Sequence, residues 1–419
     1  MTALIDPELK QEIRIETGMR FAKTVPSLAD VKAAARHVLE SKLKQRRVQL
    51  DPSAMDAIIA GICDDMLGFG PLEMLLQDNT ITEIMVNGPG HIYIERNGHK
   101  VLSQARFDDE GHLRAILERM LALAGRRLDE SSPYVDFSLK DGSRVNAIIS
   151  PLTVDGSTIT IRKFLDSLKS LDDLVRLQTI NEPMSRFLRA AIQAKLNILF
   201  SGATGAGKTA TLNVLSREIA PDERIITIED ALELRLDQKH VVRLLTRASN
   251  IESKGTVSVR QLFSNTLRMR PSRIILGEIR GEEALDFLQA INSGHDGTLA
   301  VLHAATPADV VGRLETMTMY AGLDLSSLEI RRQIASGLHL IVQHEQLADG
   351  SRKITHLTEI AGLNERGEII LNDLFRFEIT GRESSGTVTG IFGTCNRLLN
   401  DKRFKKRGVS LDGIFPVSV

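Results

Sequence analysis

Eight consecutive residues, Gly202-Ala203-Thr204-Gly205-Ala206-Gly207-Lys208-Thr209, carry the spacing G-x-x-x-x-G-K-T, with Ala210 directly after them. That spacing suits phosphate chemistry. Glycines let the backbone wrap closely around a polyphosphate and turn its N–H groups inward. Lys208 would set a charge against the β- and γ-phosphates, and the Thr209 hydroxyl can hold Mg²⁺. Further along, Arg273-Ile274-Ile275-Leu276-Gly277-Glu278 is an apolar run ending in an acid. Gly277 stands where many phosphate-binding enzymes carry Asp, so Glu278 is the carboxylate able to polarise an attacking water. A second apolar run, Ile225-Ile226-Thr227-Ile228, leads into Glu229, Asp230 and Glu233. Carboxylates gathered at a strand end are costly unless a cation is near; Mg²⁺ held by Thr209 and Glu229 would supply one. His295 and His303 bracket residues 298–302. Neither has a Cys or His partner at metal-ligand spacing, so they read as sensors of the γ-phosphate.

These side chains need a scaffold. Apolar runs at 198–200, 224–228, 273–276 and 298–302 alternate with helical patterns, including 184–194 and a helix opening at Lys208. Such alternation predicts an α/β domain with a mostly parallel sheet and helices on its faces. Further strands are expected at 339–343, 353–360 and 369–377, turning at Asp349-Gly350 and Arg366-Gly367. Upstream, residues 92–95 and 100–102 flank Asn97-Gly98, and 134–139 and 144–149 flank Asp141-Gly142. Both dipeptides are hairpin turn signals, and helices at 54–66 and 110–124 complete a smaller α+β domain. The expected division is an N-terminal helical segment (1–50), the α+β domain (51–164), a polar linker (165–177), the nucleotide domain (178–380) and a tail (381–419).

Composition limits the function. Lys plus Arg (53) balance Asp plus Glu (54) for a net charge of −1, which argues against nucleic acid as a direct partner. Basic clusters at Lys42, Lys44, Arg46, Arg47 and at Lys402, Arg403, Lys405, Lys406, Arg407 read as solvated surface. The two cysteines, Cys63 and Cys395, make no disulfide framework and suit a reducing cytoplasm. The first residues are too charged for a signal peptide. No apolar run is long enough for a transmembrane segment, so any membrane role would come through partners.

Taken together, the phosphate motif, Thr227–Leu234 (TIEDALEL), Ile274–Gly281 (IILGEIRG) and Gly294–Ala304 (GHDGTLAVLHA) resemble, in order, the Walker A, Asp-box, atypical Walker B and His-box motifs of the type II and type IV secretion ATPases. LGFGPL at 67–72, ITEIMVNG at 81–88, GRRLDESSP at 125–133, DGSRVN at 141–146 and ITIRKF at 159–164 are similar to the CpaF/TadA subfamily. So are Thr246-Arg247 with Asn250, Glu252 and Gly255, and LRMRP at 267–271. The likeness runs from about residue 50 to 375. Ala203, Ala210, the strand 299–301 and Ala305 depart from the usual pattern, and none of them removes a charged group.

The resemblance implies a RecA-like ATPase domain using ATP and Mg²⁺ in a homo-hexamer. It assigns Arg144 and Arg162 to the phosphates, Glu278 to the general base and Glu229 and Glu233 to the metal region. His295 and His303 become γ-phosphate sensors. It implies a cytoplasmic motor working on inner-membrane pilus or secretion platform proteins, for Tad/Flp-type pilus assembly or for type IV secretion. A nucleotide-gated binding module with little turnover, a nucleic-acid translocase and a small-molecule kinase are the other readings.

Overall fold

In the computed structural model, residues 7–21, 26–96, 98–163, 168–247 and 255–415 are described. Asn97, Phe164, the first residues of the expected linker, Asn250 and Glu252 lie outside them. The chain forms two compact units, 1–165 and 166–419.

The first unit opens with helices α1 (Pro7–Met19), α2 (Leu28–Arg46) and α3 (Pro52–Leu67). Ser27 and Asp30 form a capping box at the start of α2, and Asp51 caps α3 with Pro52 behind it. Ile13, Val31, Val38, Leu39, Ile59 and Ile62 of the three helices share one buried cluster. The expected boundary at residue 50 therefore falls inside a packed helical group. Helix α4 (Glu73–Gln77) leads to β1 (Ile81–Asn87), β2 (Ile92–Arg96), β3 (His99–Leu102), α5 (Glu110–Ala124), β4 (Tyr134–Ser138), β5 (Arg144–Ile148) and β6 (Thr158–Arg162). The six strands form one antiparallel sheet ordered β3-β2-β1-β6-β5-β4. Ile84, Val86, Ile94, Val145, Ala147, Ile159 and Ile161 are buried with Leu113, Ile116 and Met120 of α5.

The second unit contains α6 (Leu171–Arg176), α7 (Glu182–Gln193), β7 (Ile198–Gly202), α8 (Lys208–Ser216), β8 (Ile225–Glu229), β9 (Val241–Leu245), α9 (Val259–Thr266), β10 (Arg273–Ile279) and α10 (Glu283–Asn292). It continues with β11 (Leu299–Leu302), α11 (Pro307–Met319), α12 (Ser327–Gly337), β12 (Leu340–Gln346), β13 (Arg352–Leu363), β14 (Ile369–Arg382), β15 (Val388–Thr394) and α13 (Lys402–Arg407). The nine strands are ordered β15-β14-β13-β12-β7-β11-β10-β8-β9. From β12 to β9 every pairing is parallel, and β13–β15 add an antiparallel edge. Strand residues alternate between two cores. Ile198, Phe200, Ile275, Leu299 and Val301 face one, with α6, α7 and α8. Leu199, Ile274, Leu276, Ala300 and Leu302 face the other, with α9–α12. Burial on both faces explains why these strands read as continuous apolar runs.

Two expected boundaries need correction. Residues 171–176 of the expected linker are a helix, started by a Ser170–Asp173 capping box and rooted by buried Leu171 and Leu174. The expected tail is part of the second unit: β15 pairs with β14, and Phe404 and Ile414 join its core.

Candidate nucleotide-phosphate site

Strand β7 ends at Gly202, and α8 begins at Lys208. The residues between them form the phosphate loop. Gly202 (φ 145°), Gly205 (φ 78°) and Gly207 (φ 99°) have backbones that L side chains rarely adopt. A Cβ on Gly202 would also come within 2.4 Å of the His344 carbonyl oxygen. Lys208 is only 6% exposed. Its Nζ donates to the carbonyls of Gly202 (3.0 Å) and Ala203 (2.7 Å). The Ala206 N–H also donates to Ala203 O, at 3.3 Å. The Ala206 N–H and the Lys208 ammonium thus converge on one carbonyl, Ala203 O.

β11 runs parallel to β7, so His303 emerges beside the loop. Its Nδ1 is 3.4 Å from Lys208 Nζ, and its Nε2 is 3.1 Å from Glu278 Oε1. An ammonium has only protons to give, so Nδ1 accepts and Nε2–H donates to Glu278. Arg280 Nη2 donates to the other Glu278 oxygen at 2.6 Å. Burial pushes the Glu278 carboxyl upward, but the hydrogen bonds from His303 and Arg280 outweigh it and hold it at about 2. Lys208, His303, Glu278 and Arg280 therefore form one continuous relay.

The acidic group at the end of β8 is organised by Glu229. That side chain is 2% exposed. Its Oε2 accepts the N–H groups of Glu233 and Leu234, both at 2.8 Å, and Oε1 accepts the Thr227 hydroxyl at 3.3 Å. Burial is the main cause of its carboxyl being pushed up to about 7. Both oxygens are thus spent on the turn. The carboxylate that meets Thr209 is Glu233, with Thr209 Oγ1 donating at 3.4 Å. Of the expected metal pair, Thr209 therefore meets Glu233 rather than Glu229. Their hard oxygen donors suit Mg²⁺. Gly277 now has a physical reason: a Cβ there would lie 3.1 Å from Glu229 Cγ. The usual Asp would crowd the side chain that shapes the acidic turn.

His295 requires a correction. It precedes β11, at the opposite end of the parallel strands from the phosphate loop. Its Nδ1 meets the Ser293 hydroxyl at 3.2 Å, and its carbonyl accepts from Thr298 Oγ1 at 2.8 Å. A β-strand separates it from the relay, and its contacts are those of the loop after α10. Arg144 and Arg162 lie in the first unit as register partners on β5 and β6. Arg162 also pairs with Glu83, Nε to Oε1 at 2.9 Å.

Three contributors to the loop have no signal in the motifs. His344 on β12 is fully buried, and burial pushes its imidazole down to about 4. Its Nδ1 lies 3.1 Å from both Ser201 O and Val342 O, so its Nε2 accepts from Thr211 Oγ1 at 3.0 Å. Gln343 accepts from the Ser201 hydroxyl and donates to Ala304 O and Ala305 O. Arg352 at the start of β13 donates from Nε to Gly205 O at 2.8 Å.

Comparisons with known proteins identify the family. The profile of the family described as "Type II/IV secretion system protein" matches residues 65–361. A putative conjugal transfer protein of Mycobacterium tuberculosis is 34% identical over 307 residues, covering 72% of this chain and 86% of the relative. The conjugal transfer protein TrbB of Rhizobium radiobacter is 32% identical over 302 residues, covering 71% and 89%. Among solved structures, the VirB11 ATPase of the Brucella suis type IV secretion system is 28% identical. It covers 68% of this chain and 94% of that one, with a TM-score of 0.38. No helix among the described residues is long and apolar enough to cross a membrane. This chain belongs to the type II/IV secretion ATPase superfamily.

Proposed function

We propose that this chain hydrolyses ATP with Mg²⁺ and works as a homo-hexameric ring, coupling turnover to mechanical work on inner-membrane platform proteins. The observation that carries the reading is the Lys208–His303–Glu278 relay beside a preformed phosphate loop. The subfamily motifs favour Tad/Flp-type pilus assembly. The names of the conjugal transfer relatives favour the second reading, a type IV secretion motor. In either case the chain acts from the cytoplasm, peripheral to the membrane through its partners, and takes no nucleic acid directly.

Each residue then has a task. The loop N–H groups and Lys208 bind the phosphates, with Lys208 exchanging the carbonyls of Gly202 and Ala203 for phosphate oxygens. Thr209 and Glu233 would hold Mg²⁺, which would neutralise phosphate charge when bound. Glu229 fixes the turn that presents Glu233. Glu278 orients the attacking water and takes its proton once Arg280 lets go. His303 touches both Lys208 and Glu278, so it registers the γ-phosphate. The guanidinium pair of Arg144 and Arg162 supplies counter-charge to the transferring phosphoryl.

Hydrolysis measured per subunit against protein concentration tests this. A cooperative rise is expected, because a ring motor completes its site with a neighbour. A flat, substantial rate would refute the ring. Lys208→Ala is expected to abolish turnover, and retained turnover would refute the site.

A further inference from the structure

The phosphate loop is held from outside by a strand pair that belongs to none of the nucleotide motifs. Residues 343–352, in β12, its turn and the first residue of β13, lie more than 130 positions after the loop. They touch it at four places. The His344 carbonyl fills the space a Cβ on Gly202 would need. The His344 imidazole joins Ser201 O to the Thr211 hydroxyl, locking the loop's incoming strand to its outgoing helix. Gln343 bonds the Ser201 side chain. Arg352 Nε donates to Gly205 O at 2.8 Å.

The Arg352 contact has a specific effect. In a trans peptide the C=O and the following N–H point in opposite directions. Pinning the Gly205 carbonyl outward on Arg352 therefore turns the Ala206 N–H inward. That N–H converges on Ala203 O, the same carbonyl that Lys208 Nζ reaches. Arg352 thus sets the direction of a donor that a phosphate oxygen would take over from Ala203 O. The guanidinium also places a fixed positive charge at the apex of the loop.

We propose that Arg352 is a positioning residue for nucleotide binding. It acts through the Gly205–Ala206 peptide and sets affinity for the polyphosphate rather than the rate of its cleavage. The inference rests on the ATP reading of the loop.

The test uses the full chain and two variants, Arg352→Ala and Arg352→Lys, with a fluorescent ATP analogue for affinity and phosphate release for turnover. Wild-type protein that fails to bind the analogue refutes the ATP reading itself. If wild type binds, Arg352→Ala is expected to weaken affinity and raise KM about tenfold, the equivalent of one charge-assisted hydrogen bond. Its kcat should stay within about twofold and its melting temperature should hold, because Arg352 is half-buried at the start of β13 and outside both hydrophobic cores. Arg352→Lys, which keeps the charge and a donor, should recover part of the loss. Unchanged affinity in Arg352→Ala overturns the proposal. So does a fall in kcat with KM unmoved, which would make Arg352 part of the chemistry. A fall in melting temperature that accounts for the lost binding, without recovery in Arg352→Lys, also overturns it, because Arg352 would then be merely structural.

Discussion

Glu278 stands in two relations at once. His303 ties it to Lys208, and Arg280 ties it to the acidic turn through Asp230, 3.8 Å away. A carboxyl held at about 2 is a weak proton acceptor, so in the proposed mechanism release from Arg280 would be part of its activation. Glu278→Gln is expected to bind ATP normally and lose about two to four orders of magnitude in hydrolysis. Removing Arg280 with Ala takes away a lowering interaction and leaves burial pushing up. The acid limb of the kcat–pH profile should then move to higher pH, and an unmoved limb would exclude Arg280 as the holder of Glu278. The charged groups of the phosphate loop, the acidic run and His303 were legible because local motifs bring them to adjoining strand ends. His344 and Arg352 were not, since their partners lie about 130 to 150 positions away and no local spacing marks them. His295 misled because two histidines flanking a short strand look equivalent in sequence, while a parallel sheet sends them to opposite edges.

At the scale of elements, β8 and β10 are adjacent and in register from Ile225–Arg273 to Ile228–Leu276. That adjacency makes Gly277 the floor for the Glu229 side chain. Gly277→Asp would press on Glu229 and add a second carboxylate to a buried one. The expected cost is about 1–3 kcal/mol, or several degrees of melting temperature, with weaker Mg²⁺-dependent nucleotide binding. A variant as stable and active as wild type would show that the turn is not built on this contact. The buried parallel strands were readable because both faces are apolar. β9 was missed because it is an edge strand, half-buried at Val241, Val242 and Leu244 and exposed at Arg243 and Leu245. The helix at 171–176 was missed because six residues rich in Asp and Arg resemble a linker, and only the buried Leu171 and Leu174 reveal its packing.

For the molecule as a whole, the buried histidines of the two units titrate in opposite senses. In the second, burial lowers His339 to about 3 and His344 to about 4. Their stabilising contribution is complete above the unfolded value of about 6.5 and is lost as pH falls through the folded values. For fully buried His344 this is on the order of 3 kcal/mol. Glu278 adds a loss in the same direction below about 4.5. Glu229 opposes them: raised to about 7, it favours the fold below its unfolded value and loses that advantage as pH rises through 7. In the first unit, burial lowers His112, but bonds to Asp108 and Asp65 outweigh it and leave the group raised. Its contribution is kept on acidification. Between about pH 6.5 and 4 the second unit should lose stability first, so calorimetric transitions of the two units should separate. A shared transition across that range would show that the histidines do not govern acid stability. The two-unit plan was legible in the change from hairpin signals to strand–helix alternation. The incorporation of the tail was not, because Phe404 is a single apolar residue among Lys and Arg and Ile414 belongs to a short apolar run with no helix or strand period.

The position of β7 at the centre of its sheet also bears on how the chain is made. Its partners are β11 and β12, and β12 does not begin until residue 340. During synthesis the phosphate-loop strand is therefore exposed as Ile-Leu-Phe, with both edges bare until β11 is made at Leu299 and one edge still bare until β12 begins at Leu340. A nascent chain halted before Leu340 would have all the residues of the Walker and His-box motifs, and still lack the strand that closes one side of β7.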